Sequence, residues 1–198
     1  MKPLLFDVPR LYGNIFMMAI VLWVFPEIVG AFLLRSTATA SRRDRGSYLA
    51  VVGGIVIGVV GAFACAAYLP QLAVTIGRFT IFWVGILLML AGVVLRWFAI
   101  RTLGRSFTQD VAIRMDQTLI QTGPYRTLRH PAYSGTLLTM LGMALVLANW
   151  GSLVIVLLGG VSGLLYRIKV EETALLERFG ESYRDYMQRS YHLIPYIW

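Results

Sequence analysis

Four stretches of this chain run with almost no charge: Leu11 to Leu34, interrupted by Pro26 and Glu27, then Ser47 to Gly77, Phe79 to Leu95, and Pro131 to Tyr166. A water-soluble fold of this size has no interior large enough for all of them. About 20 apolar residues, by contrast, carry a helix across the roughly 30 Å hydrocarbon core of a bilayer. Composition points the same way: 58% of the 198 residues are hydrophobic, 14% are charged, and mean hydropathy is +0.69. That is more apolar surface than a soluble domain of this length buries. The chain reads as one integral membrane domain over 1–198.

The last run decides the span count. It is too long for one helix, and Asn149-Trp150-Gly151 at its middle is a polar, aromatic and glycine break suited to a tight turn. Two helices of about 17 and 15 residues are expected, closed into a hairpin. The fold class is therefore all-α integral membrane with five transmembrane helices, three in residues 1–100 and the hairpin in 101–198. Lys2 and Arg10 ahead of the first run superficially suggest a signal peptide. The run is too long for one and lacks a clean small-x-small cleavage pattern, so it reads as a retained span.

The formal charge of +8 does not argue for nucleic acid, because the arginines fall between apolar runs and form no stripe with interleaved aromatics. It argues topology. With the amino terminus outside, the outer side holds Lys2, Arg10 and Arg78. The inner side then holds Arg35, Arg42, Arg43 and Arg45, followed by Arg101, Arg105, Arg114, Arg126, Arg129 and the basic tail residues. The carboxyl terminus is thus expected inside. Cys65 stands alone in an apolar run, which excludes a disulfide framework and a thiolate metal site. No metal is expected elsewhere.

After the fifth span, Leu175, Leu176, Phe179, Tyr183 and Tyr186 form one helical stripe, with Glu177, Glu181, Arg184 and Asp185 away from it. This predicts a cytosolic amphipathic tail helix, weakened at Gly180 by about 1 kcal/mol relative to Ala. Two clusters carry possible chemistry. Gly123-Pro124-Tyr125 and Arg129-His130-Pro131-Ala132-Tyr133 precede the fourth span, where Pro131 suits a first helical turn and His130 its cap. A helix amino terminus flanked by Arg129 and Tyr133 suits a carboxylate or phosphate, and the same residues equally suit an interfacial anchor. The second cluster is Arg167, Lys169, Glu171 and Glu172. Arg167 and Glu171 are four apart and either pair with each other or bind opposite charges on separate ligands. Glu27 lies at membrane depth beside Pro26, where it serves function or pairs with an arginine.

The motif from Gly123-Pro124-Tyr125 through Arg129-His130-Pro131-Ala132-Tyr133-Ser134-Gly135, followed by Glu171-Glu172, Leu175, Phe179-Gly180, Tyr183, Tyr186 and Arg189, resembles the isoprenylcysteine carboxyl methyltransferase family. The wider group of this family includes membrane phospholipid methyltransferases. The resemblance covers roughly residues 104 to 196, and the first three spans match in hydropathy alone. It implies an S-adenosyl-L-methionine pocket over residues 101–198, lined by Gln117, Thr118, Leu119, Ile120, Tyr125, His130, Pro131, Ala132, Tyr133 and Glu171. It also implies that Arg167 faces the substrate as the catalytic residue, and that a lipophilic or lipidated acceptor enters from the bilayer.

On the residues themselves, a helix amino terminus with His130 and Tyr133 suits the cofactor's carboxylate, and Glu171 suits its ammonium. A carboxylate acceptor needs no general base, only positioning, and Arg167 is suited to hold it bidentately. A lipid amine would need deprotonation first, and no dedicated base stands out. The other readings are a sterol-type membrane reductase, which would need more basic residues for its cofactor phosphates, and a non-catalytic scaffold or transporter, for which Glu27 is the only hint.

Overall fold

The computed structural model describes residues 10–33, 41–42, 46–107, 112–113 and 118–196. Gln117 lies outside the described residues. So do Lys2, Arg35, Arg43, Arg45 and Arg114, on which the orientation argument partly rests.

Among the described residues six α-helices follow in order: α1 (Arg10–Leu33), α2 (Ser47–Tyr68), α3 (Arg78–Leu103), α4 (Pro131–Val146), α5 (Trp150–Phe179) and α6 (Glu181–Arg189). Four of them, α1, α2, α3 and α5, are long and apolar enough to cross a membrane. α4 has 16 residues and is apolar but shorter. The fold is not purely helical: β1 (Ser41–Arg42) pairs antiparallel with β2 (Ala112–Ile113) in a two-residue ladder. Such a ladder lets two connections satisfy each other's backbone groups.

The predicted hairpin is present, and Asn149 explains its turn. Its side-chain carbonyl accepts from Ser152 N at 3.1 Å, and its Nδ2 donates to Leu69 O at 3.0 Å, so one residue caps α5 and ties the hairpin to the end of α2. The expected second arm of about 15 residues, and a tail helix running through Gly180, are corrected. α5 is one helix of 30 residues, because nothing between Arg167 and Phe179 breaks it. The break falls at Gly180, whose φ of 53° is a backbone state that side chains disfavour. The amphipathic stripe is thereby split, with Leu175, Leu176 and Phe179 on α5 and Tyr183 and Tyr186 on α6.

Packing is pairwise. α3 lies along α4, and α2 along α5, at distances that only small residues allow. A Cβ on Gly135 of α4 would fall 2.6 Å from Gly92 O of α3, and one on Gly159 of α5 would fall 2.7 Å from Gly54 O of α2. α1 is held differently, by Tyr12 edge-on to Phe82 of α3 with ring centroids 5.1 Å apart. The main core joins Phe16, Trp23, Phe82, Met89, Met140 and Val156.

Gly135→Val is expected to lower stability by about 1–3 kcal/mol through overpacking of α3 against α4. Gly13→Ala, where no atom lies within 4 Å of an added Cβ, is expected to leave it unchanged. Thermal aggregation midpoints of the detergent-solubilised proteins check both.

Candidate active site

The turn before α4 is built by the tail. Arg129 N donates to Tyr191 O at 2.7 Å, His130 N to His192 O at 3.1 Å, and Tyr191 N to Thr127 O at 2.9 Å. Tyr186 Oη donates to Tyr125 O at 2.6 Å and Leu128 O at 3.1 Å, and Ser134 Oγ donates to Leu193 O at 2.6 Å. A loop and a tail that share their backbone donors in this way are one structural unit.

Glu172 stands at its centre, with a side chain 12% exposed. Arg129 Nε donates to Glu172 Oε1 at 2.9 Å, and His130 Nε2 lies 3.1 Å and His192 Nδ1 3.6 Å from the same oxygen. Arg129 also donates through Nη1 to the carbonyls of Met187 and Ser190. His130, Glu172 and His192 carry metal-ligating atoms within 4.8 Å of one another, but Arg129 supplies the positive charge at that carboxylate. The cluster reads as an ion-pair network. His130 sits at the amino cap of α4 as expected, yet its side chain makes no capping bond. Its ring is spent between the carboxylates, with Nδ1 3.9 Å from Glu171 Oε2.

Glu171, with 31% of its side chain exposed, faces differently. Tyr133 Oη donates to Glu171 Oε2 at 2.8 Å and accepts from Arg167 Nε at 3.0 Å. Arg167 Nη1 in turn donates to Ser47 Oγ at 3.0 Å at the start of α2. The i, i+4 pairing foreseen for Arg167 and Glu171 is thus mediated by a phenol oxygen. Arg167 is 4% exposed. Such a buried guanidinium keeps its charge and is tolerated by its partners.

Beside Glu171, Tyr125 and Ala132 pack with Ala99, and Ile120 packs against them. Pro131 opens α4 beneath them. Burial, and then the Glu171 charge, push the Tyr125 phenol well above its usual pKa, so it stays protonated. Leu119 is half-buried, and Thr118 is exposed. The structure therefore brings Ile120, Tyr125, Ala132, Tyr133, Glu171 and Arg167 to one place.

On the other side of Tyr133 lies a cavity of about 500 Å³ lined by apolar residues of α1 and α2, with Arg167, Tyr133, Arg96, Glu27 and Thr136 at one end. This size is typical of a small-molecule site. Glu27 pairs with Arg96, whose Nη2 donates to Oε2 at 2.7 Å and whose Nε donates to Oε1. Arg96 also donates to Thr136 Oγ1 at 3.1 Å. Arg96, Ser47, His192 and the role of Glu172 were not legible beforehand. Their partners lie 20 to 120 residues away, and no spacing rule links them.

The model of the isoprenylcysteine carboxyl methyltransferase family matches residues 83–177. Protein-S-isoprenylcysteine O-methyltransferase A of Arabidopsis thaliana is 31% identical over 135 residues, 66% of this chain and 68% of the relative. A probable protein-S-isoprenylcysteine O-methyltransferase of Oryza sativa subsp. indica is 37% identical over 117 residues, 58% of this chain and 61% of the relative's length. A solved structure, described as the eukaryotic intramembrane Ras methyltransferase, aligns with a TM-score of 0.54 and 24% identity. The alignment covers 95% of this chain and 63% of that one, and it shows a shared fold.

Two outcomes are expected for the tail. Glu172→Gln removes the countercharge of a buried arginine and is expected to cost on the order of 3 kcal/mol, seen as faster hydrogen exchange over residues 181–193. Burial also holds the His192 imidazole below its usual pKa, with Arg129 and His130 adding to this and Glu172 opposing it. The unfolded tail therefore takes up the proton first. Its docking is fully stable above pH of about 6.5 and is expected to weaken as pH falls below that. His192→Gln should flatten this profile in the same exchange measurement.

Proposed function

We propose, because this chain belongs to the isoprenylcysteine carboxyl methyltransferase family, that it moves a methyl group from S-adenosyl-L-methionine to the carboxylate of a lipid-borne acceptor of the prenylcysteine kind. The observation that carries the reading is the position of one atom. Tyr133 Oη joins Glu171, on the half-open side towards the loop, to Arg167, at the polar end of an apolar cavity. A water-soluble donor and a membrane-soluble acceptor need that kind of shared boundary.

The residues present suit the donor. Glu171 offers a partly exposed carboxylate to its ammonium, and Ile120, Tyr125 and Ala132 offer an apolar wall to its ring system. Thr118, Leu119 and Gln117 lie on the same approach in sequence, while His130 and Pro131 shape the site from below. When bound, S-adenosyl-L-methionine supplies a methyl group on a positively charged sulfur. The chain's own contribution is positional. Arg167 orients the acceptor carboxylate, Tyr133 fixes Arg167 relative to Glu171, and the apolar cavity excludes water.

A carboxylate brings its own nucleophilic lone pair, so the lack of an available base is consistent with this acceptor. A lipid amine suits the site less well, because two guanidiniums and a single already paired carboxylate, Glu27, stand at the cavity's polar end. Five spans, with the amino terminus outside and the site on the cytosolic side, fit the distribution of arginines along the sequence.

Wild-type protein is expected to bind S-adenosylhomocysteine in isothermal titration, and Glu171→Ala to weaken that binding about tenfold or more. Arg167→Ala is expected to keep the affinity within a few-fold while lowering radiolabel transfer to a prenylcysteine acceptor by roughly a hundredfold. No binding by the wild type would remove the donor assignment, and an equal loss of binding and transfer in Arg167→Ala would remove the role given to Arg167.

A further inference from the structure

The cavity has an aromatic end as well as a polar one. On α2 its lining is the single stripe that begins at Tyr48 and ends at Phe63, and on α1 it runs from Ile28 to Ile20. One turn beyond Ile20, the ring of Phe16 meets that of Phe63 at a centroid distance of 6.1 Å. Phe16 is 2% exposed and belongs to the main core, so this contact is backed by packed protein. α1 and α2 thus meet at an aromatic contact, at the end of the lining away from Tyr48 and Ile28.

Resting on the methyltransferase reading above, we propose that Phe63, backed by Phe16, is the floor that sets how long a chain the acceptor can carry. The length follows from helix geometry. Ser47 marks the level of the Arg167 guanidinium, because the two are hydrogen-bonded. The sixteen residues from Ser47 to Phe63 span about 24 Å at 1.5 Å each. A head group between the carboxylate and the first chain atom takes roughly 5 Å of that. The remaining ~19 Å holds roughly 15 carbons of an extended chain, at about 1.25 Å of advance per carbon–carbon bond. Nothing polar lines this stretch between Tyr48 and Phe63 on α2, so the selection is by length and not by hydrogen bonding. The acceptor class is accordingly a single-chain amphiphile with an anionic head and a chain no longer than this.

The test uses full-length protein in lipid nanodiscs and a series of N-acetyl-S-alkyl-cysteines from decyl to docosyl. Concentrations are expressed as mole fraction of lipid, so that partitioning into the bilayer cancels. Methyl transfer is read with methyl-labelled donor, and binding by displacement of the radiolabelled hexadecyl compound. Wild-type KM and displacement constants are expected to be lowest near tetradecyl to hexadecyl and to rise at least tenfold by docosyl. Phe63→Ala should move that optimum up by about three carbons, the depth of the lost ring, and Phe63→Trp should move it down. S-adenosylhomocysteine affinity, which is read on the far side of Tyr133 from this floor, should be unchanged in both. Phe63→Leu serves where the alanine protein does not fold.

A wild type without a length optimum overturns the proposal, as does an optimum that stays put in Phe63→Ala and Phe63→Leu. A shifting optimum in displacement, with no compound methylated, keeps the floor and overturns the reading of the reaction. Methylation that ignores chain length does the reverse.

Discussion

A carboxylate withdrawn from water has to find positive charge or strong donors, and Glu172 finds them in two segments it is not near in sequence: Arg129 and His130 ahead of α4, and His192 in the tail. Most of the site depends on that convergence. Arg129, once held, donates to the tail carbonyls of Met187 and Ser190, and the tail backbone then satisfies the loop from Thr127 to His130. The fixed loop sets where α4 begins. The start of α4 sets Tyr133, and Tyr133 sets the distance between Glu171 and Arg167. Glu172 is therefore a positioning residue, while its neighbour Glu171 keeps an open side.

A second constraint comes from the bilayer. Without a hydrophobic drive between helices, association depends on close backbone approach, and the glycine contacts of α3 with α4 and of α2 with α5 provide it. The two pairs are joined through the hairpin. α1 makes its own bonds mainly to α3, through Tyr12, and touches α2 through Phe16 and Phe63. A void between α1 and α2 is what that arrangement leaves. The ion pair of Glu27 with Arg96 closes part of its polar end and neutralises a charge that would otherwise be unpaired at membrane depth.

The apolar runs made the helices, the hairpin and its turn at Asn149 legible, because the bilayer sets a length that a sequence has to meet. The motif around His130 and the pair Glu171-Glu172 made the family legible. The resemblance alone singled out Glu171; what did not show was the part played by Glu172. Both are acidic, adjacent and followed by the same helical stripe, and the tertiary arrival of Arg129 and His192 at Glu172 separates them. The helix break at Gly180 was also misjudged. The stripe from Leu175 to Tyr186 suggested one tail helix running through Gly180, whereas Leu175, Leu176 and Phe179 belong to α5 and a new helix starts only after Gly180. The cavity was invisible for a different reason. It is an absence of contact between α1 and α2, and apolar lipid-facing residues look the same in sequence whether they face lipid or a void.

The unequal arms of the hairpin explain why the site sits at this particular height. α4 has 16 residues and α5 has 30, so at 1.5 Å per residue they measure about 24 Å and 45 Å. With their far ends joined at Asn149, the start of α4 lies below the level reached by α5, and it lies short of the roughly 30 Å a hydrocarbon core requires. Tyr133 and Arg167 therefore meet near the boundary of the apolar region, among the polar residues that line the cavity. The extra length of α5 rises past that boundary and carries Glu171, Glu172 and α6 with it. A hairpin with equal arms would place the same residues at the surface, in contact with water on every side, and the apolar cavity would end in solvent instead of at Arg167.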